Sequence, residues 1–130
     1  MSDYMVMIDS SAWIDSFRGK TPAVTATVRA LLENNQAVTC GPILMELYRG
    51  LKTGERKKLA PLLSAVNRVA FQEDDWEAAG ELDGRLRAGG VTVPPVDIII
   101  ARLCLRTGAT LFTLDGHFRK IPGLKFFDSM

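Results

Sequence analysis

The chain has little of what soft-metal or redox chemistry needs. Among its 130 residues are two cysteines, Cys40 and Cys104, and one histidine, His117. A zinc site asks for clustered cysteine and histidine, and no such cluster is present. Both cysteines sit in apolar segments, which argues against a disulfide framework and for a reducing cytoplasm. No apolar run approaches the roughly 18–20 residues of a membrane span. The opening "MSDYMVMIDSS" has neither the basic start nor the apolar length of a secretory signal. A Gly-rich phosphate loop ending in lysine is absent. Ser10 and Ser11 lack the glycine-flanked elbow of a serine hydrolase. A lone histidine leaves no pair for a metal-free, acid–base ribonuclease. An aspartyl-phosphate phosphatase wants two aspartates one residue apart after the first strand, whereas here the segment reads Asp9-Ser10-Ser11. A receiver-like module wants paired acids before Ser10 and a late strand-end lysine, and has neither.

What is present suits one domain spanning residues 1–130, with 47% hydrophobic and 24% charged residues. Short apolar runs at 4–9, 37–40, 67–72 and 109–115 read as strands, with 124–128 a fifth candidate. Helical spacing or helix signals mark the "SSAWIDSFR" segment, 22–34, 41–51, 55–66 around Pro61, 74–90, and the stretch begun by "VPPVD". Strands alternate with helices, and each gap is long enough for a crossover. That pattern predicts a parallel sheet with helices on both faces. Sites in such sheets form beyond the carboxyl ends of the strands.

Four acids fall in that region. Asp9 ends the first strand, Glu46 lies in the helix after the second, and Asp115 ends the fourth. Asp97 sits in the first turn of the helix "PVDIIIARLC". At about 100° per residue, Arg102 and Arg106 share one face of that helix, while Asp97 lies on the small, apolar side near Ala101 and Cys104. Each acid also has a structural explanation. Asp9 could cap the next helix, although Ser10 and Ser11 can do that. Glu46 lies opposite the Leu44/Leu47/Tyr48/Leu51 face, where any solvated glutamate would sit. Asp115 could be a turn residue, and Asp97 could complement the helix dipole. Asp97 is the hardest to explain that way, because a buried carboxylate needs a cation or a shifted pKa. Ser10 is close enough to help orient Asp9. Thr113 shares a strand face with Asp115 and could orient a carboxylate or a water. His117 reads as a surface or hydrogen-bonding residue, Trp13 as core, and the Arg56, Lys57, Lys58 cluster as a solvated helix face. Setting the four acids aside raises the balance of the remaining chain from +1 to +5. A mildly basic body around an acidic pocket suits a polyanionic substrate.

The segments "MIDSSAWIDSF", "CGPILMELYRGL", "VPPVDIIIA" and "TLFTLDGHFRKIPGLKFF" together resemble the PIN-domain family. More narrowly, they resemble the VapC-type ribonuclease toxins of prokaryotic type II toxin–antitoxin systems. The resemblance spans nearly the whole chain, in order and at similar spacing. It implies a three-layer α/β/α sandwich around a central parallel sheet. It implies that Asp9, Glu46 and Asp97 form the core acidic triad, with Asp115 the fourth acid, and that Ser10 and Thr113 support the site. It further implies an RNA substrate, a cognate antitoxin whose C-terminal segment wraps the toxin, and a homodimer. Hard carboxylate oxygens clustered in this way call for Mg²⁺ or Mn²⁺. The expected activity is metal-dependent endonucleolytic hydrolysis of RNA phosphodiesters. The alternative is a PIN-derived regulatory module that binds RNA or protein without cutting.

Overall fold

Residues 4–128 are described by the computed structural model; residues 1–3 and 129–130, inside the expected domain span, lie outside the described residues. The chain opens with strand β1 (Val6–Ile8), all three residues buried. Burial on both faces is what a central parallel strand requires, and an unbroken apolar run supplies it. Helix α1 (Ser10–Arg18) follows at once, stopped by Gly19 at a φ of 64°, where a left-handed residue closes the last turn. Helix α2 (Pro22–Glu33) begins on a proline and leads to β2 (Ala37–Thr39). Then come α3 (Gly41–Gly50), α4 (Thr53–Ala65), which runs through Pro61, and the short β3 (Asn67–Arg68). Helix α5 (Asp75–Ala88) has acids in its first turn and arginines in its last, matching the helix dipole at both ends. Helix α6 (Pro95–Thr107) is closed by Gly108 at a φ of 77°. Strand β4 (Thr110–Phe112) and a 3₁₀ turn (Gly116–Lys120) complete the described elements.

All strand pairs are parallel, in the order β3-β2-β1-β4. Right-handed crossovers therefore put α1 to α4 on one face and α5 and α6 on the other. Within the layers α1 lies against α2 and α3, and α5 against α6, while α3 also meets α6 across the layers. The result is the three-layer α/β/α sandwich with a central parallel sheet.

The strands are shorter than the apolar runs suggest. The 67–72 run pairs only at Asn67 and Arg68, and 109–115 only at residues 110–112. The 124–128 segment joins the sheet through one parallel bridge, Leu111 to Phe126, rather than as a strand. Tyr48 is 45% exposed, and the buried side of α3 is Ile43 and Leu47. Trp13 is in the core.

The arginine face of α6 has its own partner. Asp75, fully buried, accepts from Arg102 Nε at 2.8 Å, Arg106 Nε at 3.0 Å, Arg106 Nη2 at 3.0 Å and the Gln72 N–H at 2.8 Å. Burial alone would raise its pKa. Arg106, the Gln72 amide and Arg102 outweigh that and hold it down to about 2. This pair of arginines locks α6 onto α5 and fixes which side of α6, the Asp97 side, turns to the sheet edge.

Candidate active site

The chain leaves β1 toward β2 on one side, while β4 joins on the other. The strand order therefore reverses between β1 and β4, and a crevice opens beyond their carboxyl ends. Ile8 pairs with Phe112, so Asp9 and Thr113 leave the sheet at the same level. The Asp9 N–H donates to the Phe112 carbonyl at 2.9 Å.

Asp9, 4% exposed, occupies the N-cap position of α1 but makes no side-chain cap bond. Its Oδ2 instead accepts from Ser11 Oγ at 2.9 Å and Thr113 Oγ1 at 2.8 Å. The two hydroxyls are themselves 3.4 Å apart, and Ser11 Oγ accepts the Leu114 N–H at 3.0 Å. Neither Ser10 nor Ser11 caps the helix. Ser10 does not reach Asp9 either: its Oγ donates to Glu46 Oε1 at 3.2 Å. Consecutive helix residues point about 100° apart, so the two serines serve different acids. Ser11 is the residue that sequence reasoning missed. Its signal was present in its spacing, two residues after the acid on the opening turn.

Glu46 is half-buried on α3. Burial raises its pKa and Asp9 raises it further, while the Ser10 hydroxyl lowers it. Asp97, the third residue of α6, is 7% exposed. Among the described residues no hydrogen-bond donor reaches its carboxylate; the nearest basic group is His117 Nδ1, at 3.7 Å. Burial, then the charges of Asp9, Glu46 and Asp115, push Asp97 up to about 6 against the pull of His117. Asp115 lies beyond the end of β4, at the N-cap of the 3₁₀ turn, not in the strand itself. Its Oδ1 accepts the His117 N–H at 3.0 Å and lies 2.9 Å from His117 Nδ1.

The charges of Asp9, Glu46 and Asp115 all act on Asp97, while among the described residues Asp9 and Glu46 do not come within common ligand distance of Asp97 and Asp115. Asp97, Asp115 and His117 offer ligand atoms all within 4.8 Å of one another. A buried carboxylate with no donor and three like-charged neighbours is unstable alone, and a divalent cation is the partner that relieves it. The donor set, mostly hard oxygen, fits such an ion. Cys40 and Cys104 are free and buried. Burial pushes their thiols up to about 11 and about 12, so neither is poised as a nucleophile.

The family model for the PIN domain matches residues 6–124. The chain belongs to the PIN-domain family. A curated relative, Ribonuclease VapC11 of Mycobacterium tuberculosis, is 32% identical over 119 residues, covering 88% of this chain and 89% of that protein. Among solved structures, a chain of VapBC2 from Rickettsia felis, bound to a promoter DNA fragment, superposes with a TM-score of 0.82 at 23% identity. The match covers 97% of this chain and 99% of that one. A chain of DNA-bound VapBC from Salmonella typhimurium gives 0.79 at 21% identity, covering 96% and 98%. At those identities the structural likeness concerns the fold. In this PIN domain Asp9 and Asp115 follow β1 and β4, between which the strand order reverses, and no described helix is long and apolar enough to cross a membrane.

Proposed function

We propose that the chain is the toxin of a type II toxin–antitoxin pair, acting as a divalent-metal-dependent endoribonuclease in the cytoplasm. In this reading the whole of residues 1–130 is one nuclease domain. The observation that carries it is Asp97: a carboxylate 7% exposed, with no donor, facing three other acids. A fold does not keep that arrangement for stability. The sequence likeness to a ribonuclease supports the substrate class.

Asp9, Glu46, Asp97 and Asp115 would hold Mg²⁺ or Mn²⁺. When bound, such an ion supplies Lewis acidity toward a phosphate oxygen and toward water. The chain's own contribution is placement. Ser11 and Thr113 fix one oxygen of Asp9. Ser10 holds one oxygen of Glu46 on α3. Asp97 is the buried member of the set and Asp115 the more exposed one. Water adds in line to phosphorus, the bond to the 3′ oxygen breaks, and that oxygen leaves with a proton.

A toxin needs restraint, and an apolar groove suits the antitoxin. Trp13, Phe17, Val28, Leu32, Leu59 and Leu62 line a cleft between α1, α2 and α4. A homodimer is part of the same reading. The deciding experiment incubates purified chain with total RNA and Mg²⁺ or Mn²⁺, beside Asp97→Asn, and tests growth arrest on expression with and without the neighbouring gene. Cleavage lost in Asp97→Asn, and arrest relieved by the neighbour, are expected. A folded, metal-binding wild type that cuts no RNA would favour the non-catalytic module.

A further inference from the structure

We propose that His117 is a nitrogen ligand of this cation site and biases it toward Mn²⁺ and other d-block ions over Mg²⁺. The proposal rests on the metal-dependent reading above and adds a residue that the oxygen set does not include. His117 Nδ1 lies 2.9 Å from Asp115 Oδ1 and 3.7 Å from Asp97 Oδ2. Adjacent ligands of an octahedral ion with bonds of about 2.1 Å are about 3 Å apart, so the imidazole already stands near a ligand's place beside two carboxylates. Its side chain is 54% exposed, and the 2.9 Å pair with Asp115 is what holds the ring beside the two acids in the absence of an ion. Asp97 supplies the independent sign of a missing partner: its side chain is nine-tenths buried, no described hydrogen-bond donor reaches it, and its one basic neighbour stands off at 3.7 Å. At 3.7 Å, His117 does not hydrogen-bond Asp97, and a shared cation is what would join the pair.

The chemical consequence follows from donor type. Carboxylates and water suit Mg²⁺ and Mn²⁺ alike, whereas an imidazole favours transition ions and gives Mg²⁺ little. One nitrogen in an otherwise oxygen set shifts preference without excluding Mg²⁺.

His117 is the only histidine in the sequence, so on tag-free protein any histidine nitrogen seen at a bound ion is its own. The test loads wild type, His117→Gln and Asp97→Asn with Mn²⁺ and reads nitrogen-14 coupling by pulsed electron paramagnetic resonance. Affinities for Mn²⁺ and Mg²⁺ are measured by calorimetry on the same samples. Wild type should show the coupling. His117→Gln, which offers oxygen in place of nitrogen, should lose it, with the Mn²⁺-over-Mg²⁺ affinity ratio falling ~10-fold. Asp97→Asn should weaken both ions. Tight Mn²⁺ binding without nitrogen coupling, or an unchanged ratio in His117→Gln, overturns the role of His117 and leaves the metal reading standing. Failure of wild type to bind either ion overturns both.

Discussion

At the scale of single residues, two aspartates on this chain have pKa values pushed in opposite directions. Asp97 is raised from 3.8 to about 6, so the folded chain holds its proton more tightly than the unfolded chain does. Without metal, its ionisation therefore opposes folding. The penalty is absent below about pH 4, grows as pH rises, and is complete above about 6. In chelator, Asp97→Asn should gain about 1–3 kcal/mol at pH 7 and almost nothing at pH 4. The same variant should lose RNA cleavage by at least ~100-fold in the presence of Mg²⁺ or Mn²⁺. Urea unfolding at the two pH values, beside a cleavage assay, checks both halves; a variant less stable than wild type at pH 7 would mark Asp97 as structural. Ser11 gives a second residue-scale expectation. Its hydroxyl holds Asp9 and receives the Leu114 amide, so Ser11→Ala should reduce cleavage ~10–100-fold. Ser10→Ala, acting through Glu46 alone, should reduce it less, a difference that steady-state rates on a short RNA would resolve.

At the scale of elements, Asp75 shows the contrary sign. It is held down to about 2 by the arginines of α6 and the Gln72 amide. Its contribution to stability is therefore present above about pH 4 and is lost as pH falls through 2. Asp75→Ala leaves two arginines without their buried partner, and should lose about 3–5 kcal/mol at pH 7 and much less at pH 2. Denaturant midpoints at both pH values test that. The elements themselves were largely legible. Proline starts at α2, α3 and α6, glycine stops after α1 and α6, and acidic-to-basic polarity along α5 are all local signals. Strand lengths were not. An apolar run records that a segment is buried, but not where its neighbour's hydrogen-bonding ladder ends, so 67–72, 109–115 and 124–128 all read too long. Strand ends and the first turn of α6 pointed to Asp9, Asp115 and Asp97 as neighbours, whereas Glu46, the sixth residue of α3, was singled out only as an acid on the helix after the second strand. The serine assignments were not readable, because the direction of a side chain around a helix depends on partners that only the fold supplies. His117 was read as a surface or hydrogen-bonding residue, and it is half-exposed and paired with Asp115; its approach to Asp97 depends on how α6 meets the turn after β4 and was not legible.

At the scale of the whole molecule, no two of the four acids share an element. Thr113 reaches Asp9 across 104 residues of chain, and Ser10 reaches Glu46 across 36. Glu46 and Asp97 come from helices of opposite layers. Asp9 and Glu46 come from the first half of the chain and Asp97 and Asp115 from the second, so the four meet only when both halves are folded together. On the proposed function, catalytic competence is therefore a reporter of complete folding, and a partly folded chain would leave RNA intact. In a Trp76→Phe background, which leaves buried Trp13 as the one tryptophan, equilibrium urea curves followed by fluorescence and by residual cleavage after metal addition should superimpose. Activity vanishing at clearly lower urea than the fluorescence change would mean that one wall of the crevice, α6 or the turn after β4, opens on its own. Coincidence would mean that the cell faces a nuclease with only two conditions, wholly armed or wholly inert.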